Sequence, residues 1–217
     1  MNTETYQKEL EKLLPRSFEM YDFMADHISK LEPYPTLKHQ LAFQSGMLCF
    51  EHGLAMWRLI NEGLMSSGFG LMRLQYESLV RGFWMMYAEN DAWFNKLTAA
   101  GKIGPSELKK LETPMLADML KSLDNTQAPQ HILAQLNDFR ALNNTPFNSF
   151  THGGVLALLT NGVGFEAKLV YDSIRNANAV AAINVQMMSI LTEIPEAIEP
   201  IRGMHYKFVD CLPIIHA

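Results

Sequence analysis

Apolar residues recur three and four positions apart along most of this chain, and no alternating run of useful length interrupts them. That spacing marks helices with one buried face. Leu10, Leu13 and Leu14 open the pattern. Pro15 is expected to break or kink this first helix, with a second piece over about 17–31. Glu32-Pro33-Tyr34-Pro35-Thr36 reads as a connector, and a long helix follows over about 36–64. Ser66-Ser67-Gly68 is a short turn or a helix start ahead of a helix over about 69–89. Shorter helices are expected over 91–100, closed by Gly101, then after Gly104-Pro105-Ser106, and from Thr113-Pro114 to about Leu123. A loop over 124–129 precedes a helix over 130–142. Thr145 suits an N-cap and Pro146 the first position of a further helix. Asn161-Gly162-Val163-Gly164 reads as a turn, and a short strand could hide in 164–171. A long helix poor in charge is expected over 172–194, after which Pro195, Pro200 and Pro213 divide the tail.

These elements predict an all-α fold, a bundle of five or six main helices in a single domain over 1–217. Residues 1–34 read as an N-terminal helical extension, 36–195 as the core bundle and 196–217 as short C-terminal helices. Composition agrees: 48% hydrophobic residues in 217 can bury a substantial core. Charged residues make up only 19%, which, with the charge-poor apolar helix over 172–194, points to a homodimer. The net charge of -5 argues against broad binding to nucleic acid but leaves room for a local basic site. Two cysteines, Cys49 and Cys211, do not make a disulfide framework. The N-terminal residues are charged and amphipathic, so no signal segment is expected, and no apolar run is long enough to span a membrane. The expected location is cytoplasmic.

Chemistry concentrates in two places. Asn148 and His152 lie four apart, side by side on one helical face, with Gly153-Gly154 removing bulk beside the histidine. Such a histidine suits acid–base work or anion binding. On the 69–89 helix, Arg73, Glu77 and Arg81 fall within an arc of roughly 80°, shared with Trp84 and Ala88. This stripe is either a solvated face with two weak ion pairs or the lining of a polar pocket in which Glu77 orients anion-binding arginines. Gln44, Glu51, Arg58 and Glu62 form a solvated stripe on the preceding helix, with His52 at a core edge. His39 is expected at the surface, and His27, His131, His205 and His216 have no partner pattern. No zinc, di-metal, P-loop, dinucleotide or nucleophile-elbow motif occurs, so neither a metal nor a cofactor is expected.

The run from Glu51-His52-Gly53 through Trp57-Arg58-Leu59-Ile60, then Arg73-Leu74-Gln75-Tyr76-Glu77 to Phe83-Trp84, and later Leu142-Asn143 through His152-Gly153-Gly154, resembles the bacterial family DUF6988 over roughly 45–195. The DUF5677 group is similar in its Arg-x-x-x-Glu helix and later histidine. A weaker resemblance is to HEPN domains, helical bundles of bacterial toxins and antiphage systems. Their ribonuclease motif is arginine, a polar residue, three variable residues and histidine. Asn148 and His152 match it, while Phe147 stands at the arginine position. The resemblance implies metal-free RNA cleavage, for which Arg73 or Arg81 would have to supply the charge, since Arg140 lies outside the motif spacing. Three functions remain open. One is a metal-independent endoribonuclease or defence toxin with His152 as acid/base, Arg73 and Arg81 as cations, Glu77 holding them and Asn148 orienting. Another is a non-catalytic module for a nucleotide, small anion or protein partner. The third is a structural dimer without a site.

Overall fold

The computed structural model describes residues 3–88, 90–100, 111–124 and 126–213, apart from the side chains of Ala100, Asn144 and Phe147. Among the described residues there are ten α-helices and no strand. This exceeds the expected five or six, because short helices of four to ten residues surround five that pass twenty. The long ones are α1 (Thr3–Ile28), α2 (Leu37–Asn61), α3 (Met65–Tyr87), α6 (Gln130–His152) and α8 (Ala167–Ile190). The short ones are α4 (Asp91–Ala100), α5 (Leu116–Leu123), α7 (Val155–Val163), α9 (Glu199–Arg202) and α10 (Met204–Lys207). The charged helix expected after Gly104-Pro105-Ser106, and its Gly101 neighbour, lie outside the described residues.

Both prolines expected to start or break helices sit inside them. Pro15 lies within α1 and Pro146 within α6. Each forgoes one backbone bond, yet the helix continues because buried residues flank it on both sides. Around Pro15 these are Leu10, Leu13, Ser17 and Met20; around Pro146 they are Asn143 and Phe150. Thr145 is therefore mid-helix and caps nothing. The turn expected at 161–164 is also displaced: Asn161 to Val163 close α7, and the reversal falls on Gly164, whose φ of 94° suits glycine. The strand candidate over 164–171 is instead a short connection and, from Ala167, the start of α8.

Helix α8 is the centre of the molecule. It packs on α1, α2 and α3, and its buried face includes Val170, Ile174, Ala177, Val180, Ala181, Val185 and Met188. Its low charge content is thus accounted for by burial within one chain, where each large apolar side chain contributes roughly 1.5–3 kcal/mol. Helices α2 and α3 form an antiparallel pair, joined by Glu62-Gly63-Leu64. At Gly53 the pair is close: a Cβ there would sit 2.5 Å from Gln75 Nε2 and 2.6 Å from the Tyr21 hydroxyl. Buried polar side chains tie the helices to one another through backbone carbonyls. Gln75 Nε2 donates to the Ala177 carbonyl at 2.9 Å, Asn184 Nδ2 to Gly46 at 2.9 Å and Ser45 Oγ to Ser78 at 2.8 Å. Asn178 Nδ2 donates to Ser17 Oγ at 2.8 Å and to the Cys211 carbonyl at 3.0 Å. None of the described helices is long and apolar enough to cross a membrane.

Candidate anion-binding site

The site begins with the packing of α6 on α3. The two helices run antiparallel: Phe69 meets Phe150 with ring centroids 4.9 Å apart, while further along Tyr76 stacks on Phe139 at 5.1 Å. Tyr76 also donates its hydroxyl hydrogen to the Leu136 carbonyl at 2.8 Å. Phe165, at the end of the α7–α8 connection, completes an aromatic trio with Phe69 and Phe150. Arg73 of α3, between these anchor points, comes opposite Asn148 and the terminal His152 of α6.

Arg73 Nε donates to Glu77 Oε1 at 2.8 Å, one helical turn away. Its Nη1 donates to Asn148 Oδ1 and lies 3.5 Å from His152 Nε2. A guanidinium nitrogen has no lone pair to offer, so toward Arg73 the Nε2 atom can act only as an acceptor. Among the described residues Nη2 has no partner, which leaves two N–H donors of a planar fork for a ligand. The side chains of Arg73 and Glu77 are 22% and 19% exposed, and Asn148 and His152 are exposed residues. The stripe therefore lines a solvent-facing cluster between two helices, not a pocket within the bundle. Arg73 and Glu77 offset each other's charge.

Four of the five expected site residues, Arg73, Glu77, Asn148 and His152, meet. Arg81 does not join them. It lies eight residues further along α3, about 12 Å of helical rise, and its Nε donates to Thr113 Oγ1 at 3.1 Å. The helical phase was right, but the segment leading into α5 covers that end of the stripe. Trp84, on the same arc, is buried edge-on against Trp93 of α4. The glycine pair serves chain reversal. Gly153 has φ 64°, and the N–H groups of Gly153 and Gly154 both reach the Ser149 carbonyl, closing α6 immediately after His152. Ser149 Oγ then accepts the Ala157 N–H at 3.1 Å, which fixes the start of α7.

Two histidines without an expected partner have one. Buried His27 Nε2 lies 2.8 Å from Ser189 Oγ, which itself donates to the Val185 carbonyl at 2.9 Å. His39 Nδ1 is 2.6 Å from Thr36 Oγ1, and its Nε2 lies 3.1 Å from Glu193 Oε1. The His39 side chain is only 13% exposed, not the surface group expected. Thr36-x-x-His39 has the spacing of a capping box with histidine in place of glutamate, a signal available in the sequence. The Glu193 and Ser189 partners, more than 150 residues away, were not available. Gln44, Glu51, Arg58 and Glu62 are all exposed, as a solvated stripe should be.

Fold and cluster together define a protein that is helical throughout its regular described structure, with a solvent-facing Arg–Glu–Asn–His cluster. The chain belongs to DUF6988, a family of unknown function, whose family model matches residues 46–214 and so takes in the whole cluster. No curated protein and no solved structure matches the chain.

Proposed function

We propose that this DUF6988 protein binds an RNA phosphate through Arg73, Asn148 and His152 and acts as a metal-independent endoribonuclease, HEPN-like and of the bacterial defence or toxin kind. The observation that carries this reading is the convergence of a guanidinium and an imidazole from two helices, 3.5 Å apart. Metal-free cleavage of RNA needs two functions at one phosphate: a cation for the oxygens of the phosphorane and an acceptor for the 2′-hydroxyl proton. Arg73 supports the first, since Glu77 holds its Nε edge while Nη2 keeps free donors. His152 supports the second, since its imidazole stands beside the guanidinium, 3.5 Å away. The 2′-oxygen attacks phosphorus, its proton passes to His152, and the 5′-oxygen leaves with a proton from water. The products are a 2′,3′-cyclic phosphate and a 5′-hydroxyl end. Asn148 holds the guanidinium in place, and Arg81 has no part in the step.

A non-catalytic reading, binding of a nucleotide or small anion, is favoured by the openness of the cluster and by the pairing of its arginine with Glu77. RNA oligonucleotides incubated with the protein in EDTA separate the two. The expected result is cleavage by wild type with cyclic phosphate ends, lost in His152→Ala although RNA binding persists. Binding without cleavage by wild type supports the non-catalytic reading, and the absence of both binding and cleavage overturns the ribonuclease reading.

A further inference from the structure

Helix α7 is inverted relative to an ordinary surface helix, which turns its polar face outward. Its one buried residue is Ala157. Val155, Leu158, Leu159 and Val163 are 71%, 68%, 59% and 86% exposed. At 100° per residue these four and Gly162 fill an arc of roughly 140° centred opposite Ala157. The stretch from Gly153 to Phe165 contains no charged residue. The helix is not loosely placed: Ser149 holds its N-terminus and Ser66 Oγ reaches Asn161 Oδ1 at 3.5 Å. Beside it Leu64, 56% exposed, lines a groove of about 300 Å³ with Met65, Thr160, Asn161 and Phe165.

From this we infer that the outward face of α7 is the contact surface for a second copy of this chain. Charge decides among the occupants. An interfacial membrane helix carries lysine and arginine around its apolar face, whereas the first charged residue after this stretch is Glu166 and the chain carries a net -5. Two copies with that charge repel wherever charged faces meet. A two-fold axis through α7 instead sets an uncharged face against itself, complementary by symmetry. Size agrees. At roughly 60–120 Å² per fully exposed Val or Leu side chain, the four residues and Leu64 offer roughly 200–400 Å². A standard interface takes about 800 Å² from each partner, somewhat more than half of it apolar. The stripe is thus the apolar centre of an interface with a polar rim, and it holds whether or not the neighbouring cluster binds RNA.

Light scattering on the full chain, from about 1 to about 200 µM, tests the inference. The mass should rise from one chain toward two across this range. Leu158→Glu/Leu159→Glu, and separately Val163→Asp, should stay monomeric throughout with unchanged circular dichroism and Tm. If the double variant loses its helicity, Val163→Asp, at the most exposed position of the stripe, decides the matter alone. A wild type that is monomeric at every concentration overturns the inference, and flotation of that monomer with vesicles of neutral or anionic lipid would assign the face to a membrane. A dimer that survives the variants in folded form also overturns it, placing the interface elsewhere.

Discussion

Two polar regions of this molecule use the same kinds of side chain in opposite ways. In the interior, Gln75, Asn178, Asn184 and Ser45 give hydrogen bonds to backbone carbonyls or to a buried hydroxyl on other helices. They are buried, so each bond substitutes for water and an orphaned partner would carry a penalty. On the surface between α3 and α6, Arg73, Glu77, Asn148 and His152 bond to one another and still hold donors in reserve. Removing one of these leaves the rest free to find water. The interior network therefore fixes the packing of helices, while the surface network has capacity left for a ligand.

The largest expected effect is on the interior. Gly53→Val drives a side chain into Gln75 and Tyr21, costing about 3 kcal/mol, or roughly 6–12 °C of Tm by calorimetry. RNA affinity per folded molecule should not change; a specific loss of binding would break the division between the two regions. Arg73→Ala should do the reverse, weakening RNA binding roughly 10–100-fold through lost charge-assisted bonds. Its Tm should stay within about 2 °C of wild type, as for other partly exposed positions. Gly153→Ala tests the joint beyond His152. Its φ of 64° disfavours any side chain, so unfolding in urea should show a loss of about 1 kcal/mol.

The smallest effect is that of pH. Burial, the main cause in each case, holds His27 and His52 below the ordinary imidazole value of 6.5. The unfolded chain then takes up protons first as the pH falls below 6.5, so stability is complete above that value and declines beneath it. His27→Gln should flatten the fall of Tm between pH 6.5 and 5, and Arg73→Ala should leave it unaltered. A slope unchanged by His27→Gln would remove His27 from the pH response.

Much of this was legible in the chain itself. The 3.6-residue period of α2, α3 and α8, the connector at Pro33 and Pro35, and the i, i+4 pairs Arg73–Glu77 and Asn148–His152 are local properties. Local rules failed where tertiary packing outweighed them. Pro15 and Pro146 stay inside helices because apolar or buried residues on both sides hold the backbone in register. Arg81 shares the phase of Arg73, but Thr113, thirty-two positions away, takes it. The charge-poor α8 hinted at a second chain and turned out to be the centre of one. The uncharged face of α7, of which only Gly162 and Val163 fall in the expected turn, leaves a run of apolar surface uncovered.

The two arginines of α3 allow the most direct test of the proposed site. A short fluorescently labelled single-stranded RNA should be titrated by anisotropy at low salt with wild type, Arg73→Ala and Arg81→Ala. If the cluster is the site, Arg73→Ala weakens binding at least about tenfold while Arg81→Ala stays within about twofold of wild type. Equal losses for the two variants, or no binding by wild type, would contradict it.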